Sequence, residues 1–203
     1  MDYEIKKEGK FDYLEVGEGE VSMLLHGLFG ALSNFSDLIE RFRKTNKVVV
    51  PLLPLFDLDI LHTSVTGLAK HVDQFIEHKG YDHIHLLGNS LGGHVALVHV
   101  LKHPEKIKSL TLTGSSGLFE NAMGDSYPKR GDYDYIKNKT ALTFYDPAMA
   151  TKELVDEVFE ITKNRVKVIK IIALAKSAIR NNLGEELNQI QIPTLLIWGK
   201  NDT

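Results

Sequence analysis

Apolar residues in this chain fall into short unbroken runs, separated by stretches in which they recur every three or four positions. Val21–Leu25 and Val48–Val50 are runs of the first kind, and "DHIHLLG" and "IKSLTLTG" are two more. Each is too short for a stable helix and has the density expected of a strand buried on both faces. "SNFSDLIERFRK" has the second pattern, with Phe35, Leu38, Ile39 and Phe42 on one stripe and Asn34 or Ser36 as candidate caps. "SVTGLAKHVDQFIEHKG" predicts a second helix stopped by Gly80, and "SLGGHVALVHVLK" a third that ends before Pro104. Ahead of these, "YEIKKEGKFDYLEVGEG" alternates as a hairpin turning at Gly9-Lys10. From Val21 to Gly114 the order is strand, helix, strand, helix, strand, helix, strand. That order predicts an α/β fold with a doubly wound, mostly parallel sheet and right-handed crossovers.

The rhythm changes after Ser116. No convincing strand occurs up to Asn188, and "TKELVDEVFEITKNRVKVIKIIALAKSAIRNN" is helical, with Thr151 as its N-cap. Its expected apolar face carries Leu154, Val155, Val158 and Phe159, then Val166, Ile169, Ile172 and Leu174. A buried strand then returns at Thr194–Trp198. The expected organisation is a core over residues 1–116, a helical insertion over 117–188, and a returning core strand in 189–203.

A chain of 203 residues is long enough for one domain with an insertion, and its charge of −3 has no basic stripe to follow a phosphate backbone. Nucleic acid is therefore not an expected partner. No apolar run reaches the length of a membrane span, and the charged N-terminal stretch lacks the apolar core of a signal peptide. A cytoplasmic protein without membrane association is the expectation. The absence of cysteine excludes disulfides and thiolate chemistry.

Candidate chemistry centres on "HIHLLGNSLGGH". Gly88-Asn89-Ser90-Leu91-Gly92 lies between a predicted strand and a predicted helix. In so sharp a turn the central residue takes strained backbone angles, and its neighbours two positions away must be small. The hydroxyl is thereby exposed beside a helix N-terminus, where a developing oxyanion is stabilised. Ser90 is the candidate nucleophile. An oxyanion hole needs two backbone N–H donors; Leu91, after the serine, and Leu28, in the His26-Gly27-Leu28-Phe29-Gly30 loop after the first core strand, are the candidates. His26 is expected to hold that loop by hydrogen bonds. His83 and His85 should share one face of the strand below the serine, and His94 should pack one helical turn beyond it. His99 and His103, four apart, could pair on a metal, but without a nearby third ligand they read better as a solvated helix face. No metal or organic cofactor is required.

With these residues in hand, the chain resembles the α/β-hydrolase superfamily. "LLHGLFG", "LLGNSLGGHVAL", "HPEKIKSLTLTG" and "IPTLLIWGKND" match its successive landmarks in order, over nearly the whole chain. "GNSLGG" and the early "SNF" look most like the branch of carbon–carbon bond hydrolases and related esterases. The chain differs from many relatives after Val50, where "PLLPLFDLD" replaces a glycine-rich segment. The resemblance implies a cap at the helical insertion and an acid in the Gly-x-x-Asp turn, which makes Asp202 the expected acid; Glu120, after the preceding strand, comes several residues too late. It also implies a histidine base after Asp202, where only Thr203 remains. The chain is therefore expected to lack the last strand, the last helix and the base, leaving Leu195–Trp198 as an exposed sheet edge. Asn34 and a cap arginine, Arg165 or Arg180, are candidate groups for a substrate carboxylate, and Leu142, Phe144, Phe159 and Ile172 for an acyl pocket or the insertion's own core. The implied activity is hydrolysis of an ester-like or activated carbonyl in a small-molecule substrate. Carbon–carbon bond hydrolysis, acyl transfer and ligand binding without turnover are the alternatives.

Overall fold

The computed structural model describes residues 3–29, 32–118 and 131–202. Seven strands form one sheet in the order β1-β2-β4-β3-β5-β6-β7. They are β1 (Lys6–Glu8), β2 (Phe11–Val16), β3 (Val21–Leu25), β4 (Lys47–Pro51), β5 (Ile84–Asn89), β6 (Ile107–Thr113) and β7 (Thr194–Ile197). β1 and β2 are the expected hairpin, and β2 lies antiparallel to β4. β4, β3, β5, β6 and β7 pair in parallel, as their apolar runs predicted.

The order of the parallel strands places the site. From β3 the chain passes through α1 (Ser36–Phe42) to β4 on one side, then through α2 (Val65–Lys79) back across to β5 on the other. Strand order therefore reverses at the β3/β5 pair, and the crevice outside their carboxyl ends is where such sheets receive ligands. The two wings also split the core. Leu24, Val48 and Val50 pack with Phe35 and Ile39 on the α1 face. Met23, Leu25, Val49, Leu86 and Leu110 pack with α2 and α3 (Leu91–Lys102) on the other.

Local signals explain most helix ends. Ser64 caps α2 by accepting from the Gly67 N–H at 3.0 Å, and Gly80 ends it in the left-handed conformation with φ 62°. Here the sequence reading holds. At α1 it does not: Phe35 occupies the N-cap position without a side-chain cap, because a 3-10 turn over Leu32–Phe35 leads into the helix in place of Asn34 or Ser36. His83 also departs from expectation, standing exposed ahead of β5 with φ 50°.

Between β6 and β7 lie α4 (Tyr133–Ala141), α5 (Lys152–Lys163) and α6 (Arg165–Arg180). Thr151 caps α5 as expected. The long helical stretch is nevertheless two helices, because Asn164 closes α5 and its side chain caps α6, accepting from the Val166 and Lys167 N–H groups. The buried face of α6 also differs from the expected stripe. Val166 and Ile169 are exposed, whereas Lys170, Ile171, Leu174, Ser177 and Ala178 are buried. The reason is polar: Lys170 Nζ donates to the Phe56 and Leu58 carbonyls at 2.7 and 2.5 Å, and Ser177 Oγ accepts from the Val65 N–H at 3.0 Å. Those bonds fix the helix rotation against the loop after β4 and the start of α2. Leu142 is exposed, while Phe144, Phe159 and Ile172 are half-buried.

The apolar run of β7 predicts a buried strand. Paired only with β6 among the described strands, it leaves Leu195, Leu196, Ile197 and Trp198 at 56%, 62%, 51% and 44% exposure, the apolar edge also anticipated. No helix among the described residues is long and apolar enough to cross a membrane.

Candidate active site

β5 rises to Asn89 and α3 begins at Leu91, so Ser90 takes the whole bend, with φ 52° and ψ −121°. A non-glycine residue in such a conformation costs roughly 1–3 kcal/mol and persists only when its surroundings impose it. They do so through the backbone. The Ser90 N–H donates to the Thr113 carbonyl at 3.1 Å, and the Ser90 carbonyl accepts from Gly93, His94 and Ser116 N–H groups at 2.9, 3.2 and 3.2 Å. Asn89 adds two bonds from Nδ2, to the Thr113 carbonyl and hydroxyl, at 3.1 and 3.0 Å.

The glycines of the motif are required by space. A Cβ on Gly88 would lie 2.5 Å from the Gly92 carbonyl oxygen, and one on Gly92 would collide with the Leu25 carbonyl and lie 2.7 Å from that of His26. The turn therefore closes on itself and onto the end of β3, leaving the Ser90 side chain exposed at the start of α3. The first N–H groups of that helix lack intrahelical acceptors and carry partial positive charge.

The loop after β3 meets the serine directly: a Cβ on Gly27 would lie 3.2 Å from the Ser90 Cβ. His26 is the strut of that loop. Its Nε2 accepts from the Leu53 N–H at 2.9 Å, which leaves the proton on Nδ1 to donate to the Gly27 carbonyl at 2.9 Å. Burial lowers its pKa, although the Gly27 bond acts in the opposite sense. Leu28 and Leu91 thus flank the serine from two directions, and neither amide has an acceptor among the described residues.

Asp202 is exposed in a turn closed by its N–H to the Gly199 carbonyl at 3.2 Å. It stands beside Gly114, which extends the β6/β7 ladder through its N–H to the Ile197 carbonyl at 3.1 Å. Gly114 has φ +46°, and a Cβ there would lie 3.0 Å from Asp202 Oδ2. Ser90 and Asp202 therefore both lie at the carboxyl ends of strands that adjoin β6. Asn34, Arg165 and Arg180 are exposed, and no hydrogen bond or ion pair joins any of them to the Ser90 turn among the described residues. Glu120 and Gly30 lie outside the described residues.

The nine histidines are all accounted for, and among the described residues none hydrogen-bonds the Ser90 hydroxyl. His62 pairs with Asp59, His78 with Glu8 and His83 with Asp82. His85 bridges Ser109 and Glu20, and His71 is buried against Phe11. His99 is a correction: it is buried, bonded through Nδ1 to Asp73, while His103 stands 3.9 Å from the same carboxylate. Packing of α2 on α3 explains the burial. Among the described residues no group of three or more metal-ligating side chains forms. His94 is fully buried one turn beyond Ser90, its Nε2 bonded to the Asn181 carbonyl at 2.8 Å.

Sequence reasoning missed Asn89, Thr113 and Ser116 as the brace of the turn. Their side-chain types are ordinary for turns and strand ends, and only the β5/β6 pairing reveals their common target. It also missed Lys170, whose charge reads as a solvated position until its two carbonyl partners are seen.

Comparison with known proteins agrees with this fold. Residues 23–151 match the family model described as the alpha/beta hydrolase fold. A monoacylglycerol lipase of Xenopus laevis (abhd6-B) is 31% identical over 168 residues, which span 68% of this chain and 47% of the lipase. The chain thus spans about half the length of that curated relative. A 2-hydroxy-6-oxononadienedioate/2-hydroxy-6-oxononatrienedioate hydrolase of Comamonas testosteroni is 27% identical over 210 residues, 93% of this chain and 73% of that protein. The crystal structure of MGS-MChE2, an alpha/beta hydrolase enzyme from the metagenome of lagoon sediments, superposes with a TM-score of 0.78 at 42% identity, covering 98% of this chain and 76% of that one. By its fold, its family match and these relatives, the chain belongs to the α/β-hydrolase fold family.

Proposed function

We propose that Ser90 is the nucleophile of a serine hydrolase acting on an ester-like or activated carbonyl in a small-molecule substrate. The observation that carries this is the turn itself: a strained, exposed serine forced outward by glycines that tolerate no side chain. In the reaction, Ser90 Oγ bonds to the carbonyl carbon as its proton passes to a base. The Leu28 and Leu91 amides receive the oxyanion, the leaving alcohol takes the proton, and water then cleaves the acyl-enzyme to release the acid. Asp202 orients and stabilises the imidazole that serves as base. None of the nine histidines hydrogen-bonds the Ser90 hydroxyl among the described residues, so the proposed reaction needs an imidazole that these contacts do not supply. The α4–α6 segment acts as a cap over the site, anchored to the core through α6.

Carbon–carbon bond hydrolysis is the second reading, favoured by the Comamonas hydrolase, which aligns along 93% of this chain. The exposed Asn34 and Arg165 would be its carboxylate-binding groups, yet neither is bonded to the turn. The test is hydrolysis of p-nitrophenyl acetate with and without added imidazole, comparing the chain with Ser90→Ala. A serine-dependent, imidazole-stimulated rate is expected, and equal rates for both proteins would overturn the proposal. Product analysis with added alcohol separates hydrolysis from acyl transfer.

A further inference from the structure

The α4–α6 segment leaves the core after Gly117 and returns to it at Leu183, and its two roots are stitched together. The Leu183 N–H donates to the Gly117 carbonyl at 2.8 Å, and Asn182 Nδ2 donates to the Leu118 carbonyl. The His94 side chain lies beneath this junction. Its Nε2 meets the Asn181 carbonyl at 2.8 Å, directly at the end of α6. Its ring edge packs under Gly117, where a Cβ would lie 3.1 Å from Cδ2, and the φ of +121° there excludes ordinary side chains as well. Its Nδ1 faces the Ser116 hydroxyl at 3.5 Å, and that hydroxyl is also 3.5 Å from the Ser90 carbonyl. Finally, its own N–H donates to the Ser90 carbonyl at 3.2 Å.

We infer that His94 is a positioning residue that locks both roots of the α4–α6 segment onto the nucleophile turn, as the neutral imidazole with its proton on Nε2. The tautomer follows from the partners. A carbonyl accepts only, so the proton is on Nε2, and Nδ1 is left unprotonated, facing the Ser116 hydroxyl. Asn181 carries the restraint onward: its Nδ2 donates to the Ser177 carbonyl and hydroxyl at 2.8 and 3.2 Å, and that hydroxyl accepts from Val65 at the start of α2. A continuous chain of hydrogen bonds thus runs from Ser90 through His94 to the last turn of α6 and the amino end of α2. The link exists without turnover. Its effect on catalysis rests on Ser90 being the nucleophile.

Nitrogen-15 NMR of the histidine-labelled chain tests the tautomer, with the His94 signals assigned by their loss in His94→Gln. A protonated Nε2 beside an unprotonated Nδ1 is expected; the opposite tautomer overturns the inference. Hydrogen exchange at the amides of residues 181–183 tests the lock. His94→Phe, which keeps a ring but removes the donor, should exchange about tenfold faster there. His94→Gln, which can donate from its amide to Asn181, should stay close to the parent chain. Unchanged exchange in His94→Phe would overturn the lock, and should that variant fail to fold, the tautomer decides. The labelling rate of Ser90 by a fluorophosphonate in the presence of imidazole, compared at equal folded fraction, is the readout a purely structural histidine would not move: it should fall in His94→Phe and recover in His94→Gln. If the parent chain does not label even with imidazole added, the reading of Ser90 fails, while the exchange and NMR results still decide the lock.

Discussion

A Cβ on Gly88 would lie 2.5 Å from the carbonyl oxygen of Gly92. The last residues of β5 and the first turn of α3 therefore touch backbone to backbone, and Ser90 is what remains at the apex. Gly88→Ala must push the two segments apart. It is expected to cost about 1–3 kcal/mol in stability, measured by denaturant unfolding, and to abolish any serine-dependent activity in the fraction that stays folded.

The strain at Ser90 is itself measurable. With φ 52° and ψ −121°, the position suits glycine better than any residue with a Cβ. Ser90→Gly should therefore be more stable than Ser90→Ala by about 1 kcal/mol, although neither has the hydroxyl. Equal midpoints for the two variants would mean that the turn stores no strain.

Much of this site was legible in the sequence, for a physical reason. Strands buried on both faces are written as short apolar runs, and a turn that excludes Cβ atoms can only be written with glycine, so β3, β5 and the Ser90 motif could be read directly. His94, His99 and Lys170 could not be read in this way. Each is a polar residue buried because of a partner far away in the chain, at Asn181, Asp73 and the Phe56 and Leu58 carbonyls. The division of the long helical stretch at Asn164 was equally hidden. Asparagine ends one helix and caps the next there, and the apolar pattern runs on through it.

Acid should destabilise the fold in two stages. Burial, aided by the nearby Lys10 charge, lowers the pKa of His71 from 6.5 to about 4. The unfolded chain therefore binds a proton that the folded one refuses, and stability is lost as pH falls from 6.5 towards 4. At roughly 1.4 kcal/mol per pH unit the loss approaches about 3 kcal/mol. His71→Leu should remove that slope in unfolding measurements across this range. Glu15 acts lower: burial opposes its charge, but hydrogen bonds from Tyr81 and Lys6 and the Lys79 charge bring its pKa down to about 2. Its contribution is present above pH 4.5 and disappears as pH falls towards 2, so Glu15→Gln should alter only this second stage.

Lys170 anchors α6 by donating to the Phe56 and Leu58 carbonyls. Lys170→Met keeps the aliphatic length and leaves both acceptors unsatisfied. A loss of about 1–3 kcal/mol is expected, with faster hydrogen exchange along α6 and little change in β3 or β5. Uniform loss of protection through the whole chain would show that α6 is not a separately anchored element.

Gly114 keeps the space beside Asp202 open, since a Cβ there would come within 3.0 Å of the carboxylate. Gly114→Ala should displace Asp202 and lower the imidazole-stimulated, serine-dependent rate while leaving fluorophosphonate access to Ser90 largely intact.

The decisive measurement is peptide mapping by mass spectrometry after the folded chain has reacted with a fluorophosphonate in the presence of imidazole. If the turn makes Ser90 the nucleophile, Ser90 carries the adduct well before any other serine, and Ser90→Ala remains unlabelled over the same time. An adduct that appears first on another serine, or that forms equally in Ser90→Ala, would contradict the assignment.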